Sequence, residues 1–156
     1  MEGMATTSIL EPVKKLTKDI RTASRDLTSS EARYLVDTYY TLQNFRKATG
    51  NQISALAKAG EPNEGITFFF DQYYTLEKSI KSVLGVYVKN QPLGQWCLSI
   101  TGIGPVISAG LMAHIDIEKA PTVGHIWSYA GLVPGQVWGK GQKRPWNAKL
   151  KVICWH

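Results

Sequence analysis

The chain has 156 residues, 44% apolar and 19% charged, a balance that fits one folded domain and excludes a disordered or fibrous chain. Its formal charge of +6 is uneven: residues 121–156 hold five Lys or Arg and no acid, whereas residues 61–120 carry a net −2. Cys97 and Cys154 lack C-x-x-C spacing and His114, His125 and His156 are not spaced as ligands, so buried thiols in a reducing compartment are expected, with no metal site and no cofactor. No basic start leads into an apolar run, and no apolar stretch is long enough to span a bilayer, so the expected location is cytoplasmic, away from any membrane.

Taken in order, residues 8–27 place Ile9, Val13, Leu16, Ile20 and Leu27 on one stripe, with Lys14, Lys15, Lys18, Arg21 and Arg25 around it. That spacing predicts an amphipathic helix. Thr28 and Glu31 form a capping-box pair that starts a second helix, running to about Ala59 with Tyr34, Leu35, Tyr39, Leu42, Phe45, Ile53 and Leu56 on its apolar side. Gly50 predicts a weak point or kink in its middle. After the turn Glu61-Pro62-Asn63-Glu64-Gly65, a third helix covers about Ile66 to Lys89, with Ile66, Phe69, Phe70, Tyr73, Leu76, Ile80, Val83, Leu84 and Tyr87 in a three–four alternation. The short connection makes these two helices antiparallel neighbours, a long helical hairpin like a coiled-coil arm over residues 1–90. Its apolar stripe is too large to leave in water, so the arm is expected to form a homo-oligomer or fold back on the rest of the chain.

Pro92 ends the arm, and residues 91–156 form a second unit. A short helical phrase over Leu93–Ile100 meets Gly102-Ile103-Gly104, and Pro105 opens another helix at its first position, where a missing N–H costs nothing. Helix, Gly-Ile-Gly turn, helix is the pattern of a helix-hairpin-helix element, whose outward N–H groups suit a phosphate. A plain tight turn between two core helices has the same pattern, and Val106 and Ser108 stand where that element often has lysine and alanine. Thr122 caps a helix over Val123–Ala130, and Gly131 to Asn147 forms a glycine-rich basic loop with Trp138 and Trp146. Ala148 to His156 restarts a helix in which Val152, Ile153 and Trp155 need partners. The fold class is therefore mainly α.

Gly102-Ile103-Gly104-Pro105-Val106, Ser128-Tyr129-Ala130-Gly131-Leu132-Val133-Pro134, the loop Gly139 to Arg144 and the terminal Lys149-Leu150-Lys151 follow one another in an order that resembles the C-terminal domain of the insertion-sequence 110/116/902 transposase family. The resemblance covers residues 99–156 and implies recombination chemistry on DNA, guided in some members by a structured RNA. Family enzymes add an N-terminal ribonuclease-H-like domain whose acids bind magnesium, and a serine nucleophile just before the glycine-rich loop. Residues 1–90 read as helical without a strand-borne acidic cluster, and Trp138 occupies the serine's place, so a chain shortened at both ends and not catalytic on its own is expected.

The reading that follows is a DNA-binding protein of the transposition and recombination class. Gly102, Ile103, Gly104, Lys140, Lys143, Arg144, Lys149 and Lys151 would meet phosphates, and Trp146 or Trp138 would stack on an unpaired base or pack beneath the loop. The competing readings are a recombinase subunit acting with a separate nuclease partner through another serine, Ser99 or Ser108, and a helical interaction module that binds no nucleic acid.

Overall fold

The computed structural model describes residues 17–156, and among these it contains seven α-helices and no strand. The short α1 (Lys18–Ala23) starts where the Thr17 hydroxyl accepts from Ile20 N, and it passes through a single 3-10 turn (Ser24–Asp26) to an extended Leu27. The helix expected over 8–27 is thus interrupted at its C-terminal end, and Ile9, Val13 and Leu16 lie outside the described residues. Ile20, placed on the apolar stripe, is exposed.

The long α2 (Ser29–Ala59) opens on the expected capping box: Glu31 N donates to the Thr28 hydroxyl, and Thr28 N donates to the Glu31 carboxylate. It runs through Gly50 without a break. A Cβ there would lie 3.2 Å from Cε2 of Phe70, so the bare backbone admits that ring. Packing compensates a helix-propensity loss of about 1 kcal/mol. Asn63 caps α3 (Glu64–Lys89) by accepting from Ile66 N. Phe45 faces Tyr73 at 5.8 Å, Arg46 pairs with Glu77 at 2.6 Å, and Gly50 meets Phe70. From Arg46 opposite Glu77 to Gly50 opposite Phe70, rising numbers on α2 meet falling numbers on α3, so the two helices run antiparallel.

Two shorter helices follow, α4 (Pro92–Ser99) and α5 (Pro105–His114), then α6 (Val123–Ala130) and α7 (Ala148–Trp155). The core forms where α2, α3, α5 and α7 converge: Ala32, Val36, Leu84, Tyr87, Val88, Val106, Ala109, Ala113 and Ile153 are all nearly inaccessible. The centre of this packing is α5, which buries Val106, Ser108, Ala109, Gly110, Ala113 and His114. Small residues let its neighbours come close; a Cβ on Gly110 would stand 2.7 Å from Ile153 Cδ1.

The apolar stripe of the hairpin therefore divides. Its half nearest the chain ends, with Ile80, Leu84 and Tyr87, closes over α5. Its far half leaves Phe45 and Phe69 exposed, and Phe68 and Tyr74, beside the stripe, are exposed too. Tyr34, expected on the inner side of α2, is 70% exposed. Of the two cysteines, Cys97 is buried as expected but Cys154 is exposed, because Leu150 and Ile153 take the inward face of α7. No helix among the described residues is long and apolar enough to cross a membrane.

Candidate nucleic-acid interface

Between α4 and α5 the chain turns at Gly102, which has φ +94°, a region other residues avoid. Ile103 N donates to Ile100 O at 3.1 Å and closes the turn. Gly104 differs from Gly102: at φ −92° and ψ 179° it is extended and serves as the N-cap of α5, with Pro105 at the first helical position. No side chain caps this helix start. The amides of Val106 and Ile107 are first-turn groups with no intrahelical acceptor, and such a terminus attracts anions. A Cβ on Gly102 or Gly104 would meet nothing within 4 Å, so the turn stands clear of the rest of the chain. Tyr39, Tyr40, Gln43, Lys81 and His156 border a hollow beside it. Lys81, on α3, is the cation that sequence reasoning missed: only the docking of α5 on α3 brings it to the turn.

The basic loop is rooted at Asn147. Its Oδ1 accepts from Lys149 N and Leu150 N and so caps α7; its Nδ2 donates to Tyr129 Oη at 3.0 Å and to His114 Nδ1 at 3.1 Å; its own N donates to Tyr129 O at 2.8 Å. Gly131, the left-handed C-cap of α6 at φ +67°, lies under the Trp146 ring, where a Cβ would be 2.5 Å from Cγ. Trp146 meets Trp138 edge-on at 5.3 Å, Arg144 covers Trp138 at 4.7 Å, and Lys151 covers Trp146 at 5.0 Å. Trp146 is thereby committed to packing, while Trp138 keeps an exposed face.

The five cations are not equivalent. Lys149 is ion-paired with Asp37 of α2, a partner that the acid-free stretch from 121 onward does not reveal. Arg144 and Lys151 lie on tryptophans, while Lys140 and Lys143 are exposed. Nor do the two sets of candidate residues adjoin. Gly110 abuts Ile153, His114 bonds Asn147, and Gly104 shares a hollow with His156, so α5 and α7 are antiparallel. The glycine turn is at one end of α5 and the basic loop at the other, separated by about 15 Å of helix at 1.5 Å per residue.

As for nucleophiles, Ser99 is exposed and its hydroxyl donates to Trp96 O, while Ser108 is fully buried with an unpartnered Oγ. Trp138 is held by Trp146 and Arg144. Among the described residues, no group of three or more His, Cys, Asp or Glu gathers as a metal site would require.

The sequence profile described as Transposase IS116/IS110/IS902 family matches residues 95–144, from within α4 through the glycine turn, α5, α6 and the basic loop. No curated protein and no solved structure matches the chain. Residues 95–144 are thus similar to the IS116/IS110/IS902 transposase family over about a third of the chain.

Proposed function

We propose that the chain is a DNA-binding module of a transposition system that holds the sugar-phosphate backbone and does not cut DNA by itself. The observation that carries this reading is the exposed, cationic Gly139–Arg144 loop within the transposase-family segment. The uncapped start of α5 behind Gly102–Gly104, a helix-hairpin-helix in outline, would be a second phosphate contact, with Lys81 beside it. Contacts of this kind position a duplex or a structured RNA without reading its sequence. The exposed Phe45, Phe68, Phe69 and Tyr74 support a second copy of the chain as the partner of the arm.

A salt-dependent binding titration tests the first part. With Lys140, Lys143, Arg144 and Lys151 engaged, log affinity should fall against log salt with a slope of about −3 to −4. Changing Lys143 and Arg144 together to Ala should weaken binding to all sequences alike and flatten the slope by about two. Changing Lys58 and Lys78, on the outer arm, should do neither. Wild-type affinity and slope in the Lys143/Arg144 variant would make the loop structural. For the arm, Phe45→Ser with Phe69→Ser should reduce the solution mass to that of one chain; a wild-type species that already has that mass would refute self-association.

A further inference from the structure

A second polar region lies away from the exposed cations of the loop. Behind the C-terminal end of α5, a hollow of about 490 Å³ opens between α2, α6 and the turn at 116–120. We propose that this hollow, bordered by Arg33, His114, Lys119, His125, Ser128 and Tyr129, is a binding site for a phosphate monoester.

Its walls are dominated by donors. Arg33 spends its Nε–H on Ala113 O at 2.7 Å, which fixes the guanidinium at the rim and leaves both terminal nitrogens for a ligand. Tyr129 Oη already accepts from Asn147 Nδ2, so its own proton remains to be given. Thr122 Oγ1 lies 2.6 Å from His125 Nδ1, which leaves the outer nitrogen of that ring for the hollow. The hydroxyl of Ser128 adds another donor. Asp116 is the one carboxylate on the walls, and it is tied to Lys119 Nζ at 3.3 Å and to Glu118 N at 3.1 Å.

At the floor stands His114, 6% exposed. Asn147 Oδ1 is held by two amides of α7, so its Nδ2 must be the atom facing His114 Nδ1. The neutral ring therefore carries its proton on Nε2, and that buried N–H has no partner. Burial pushes the His114 pKa down, Arg33 and Lys149 push it further, and Asp37 opposes them. An anion in the hollow would relieve the repulsion that Arg33 exerts on a protonated His114. Arg33, Lys119 and the Ser128 and Tyr129 hydroxyls outnumber the single carboxylate, so the hollow suits an anion. The recess ends at buried His114 and Ala120, which favours a terminal group over a strand passing through.

The probe is inorganic phosphate, titrated at constant ionic strength into the full chain while the ring signals of its three histidines are followed by NMR. The His114 and His125 signals should move together along one saturation curve, with the His114 pKa rising, and Arg33→Lys should shift that curve without changing the response of His156, which borders the separate hollow at the glycine turn. Arg33→Lys, which keeps charge but loses the fork, and Lys119→Ala should each weaken binding about tenfold, as expected for loss of a charge-assisted contact. The Lys143/Arg144 variant should bind phosphate like wild type, which separates this site from the loop. A short oligonucleotide bearing a 5′-phosphate that displaces inorganic phosphate, when its 5′-hydroxyl twin does not, assigns the group to a strand end. Displacement by a nucleoside monophosphate alone assigns it to a free metabolite. His114 and His125 signals that do not move or do not saturate, or an Arg33→Lys or Lys119→Ala variant that binds phosphate as wild type does, overturn the proposal.

Discussion

Replacing Gly110 by Ala sets two effects of known sign against each other. In an exposed helix the change would stabilise by about 1 kcal/mol, because glycine is the poorer helix former. At position 110 the new methyl would lie 2.7 Å from Cδ1 of Ile153 and 3.3 Å from both Cγ1 and Cγ2. Rotating Cδ1 away relieves only the first contact. The two γ carbons are fixed by the stiff χ1 of a β-branched residue in a helix, and Ile153 is 4% exposed, so α7 itself must shift. Overpacking of this kind costs about 1–3 kcal/mol. The net expectation is a loss of about 1 kcal/mol, or about 2–4 °C in Tm for a chain of this size. Urea and thermal denaturation followed by circular dichroism measure it. Ile153→Val removes Cδ1 and costs about 0.5–1.5 kcal/mol alone, but combined with Gly110→Ala it should cost less than the sum by at least about 0.5 kcal/mol. A Gly110→Ala protein more stable than wild type, or a strictly additive double variant, would refute the close α5–α7 packing.

Gly94→Ala should abolish cooperative folding, visible as loss of the thermal transition, because its Cβ would lie 2.1 Å from Val88 O, a backbone atom with nowhere to go. Arg46→Met should cost about 3–5 kcal/mol by leaving the buried Glu77 carboxylate unpaired, and adding Glu77→Leu should recover much of the loss in the same denaturation assay. Stability should also decline with acid in two stages. The folded pKa of His114 is depressed below its ordinary 6.5 by burial first and by Arg33 and Lys149 next, so the unfolded chain binds its proton more readily. The stabilisation is complete above that value and is lost as pH falls from it toward the depressed one. For Glu77, burial raises the pKa but the paired Arg46 outweighs it, so the net shift is downward and a second loss follows as pH falls below 4.5. Urea midpoints across pH should show both stages, and His114→Gln should remove the first.

Local signals made most of the helices legible. The Thr28–Glu31 box, Pro105 and Thr122 mark helix starts that depend only on neighbouring residues, and each stands where those residues require. What failed was anything decided by docking. Periodicity gave α3 one continuous stripe, but it carries no information on where α5 ends, so it could not separate Leu84, fully buried, from Phe69, 55% exposed. Gly50 looked like a flaw because the ring that fills its place comes from the other helix. The same holds at the interface. Counting acids along the sequence left Lys149 unneutralised, whereas Asp37, more than a hundred positions away, supplies its partner. Lys81 carried no signal beside the glycine turn, and the donors around His114 come from four separate stretches of chain.

The way the basic loop is tied has an entropic consequence. Its base is closed by the Asn147 N to Tyr129 O bond and by Trp146 lying on Gly131, whereas its outer part, with Val137 86% exposed and open space around Gly141, contributes little to that closure. Once the ends of a loop are fixed by contacts outside its tip, doubling its length costs only about 0.6 kcal/mol. Residues inserted near Gly141 should therefore leave the scaffold nearly as stable as before, making this stretch a replaceable cassette. The helices set where a tip stands, and the tip is free to change its length and chemistry without their consent.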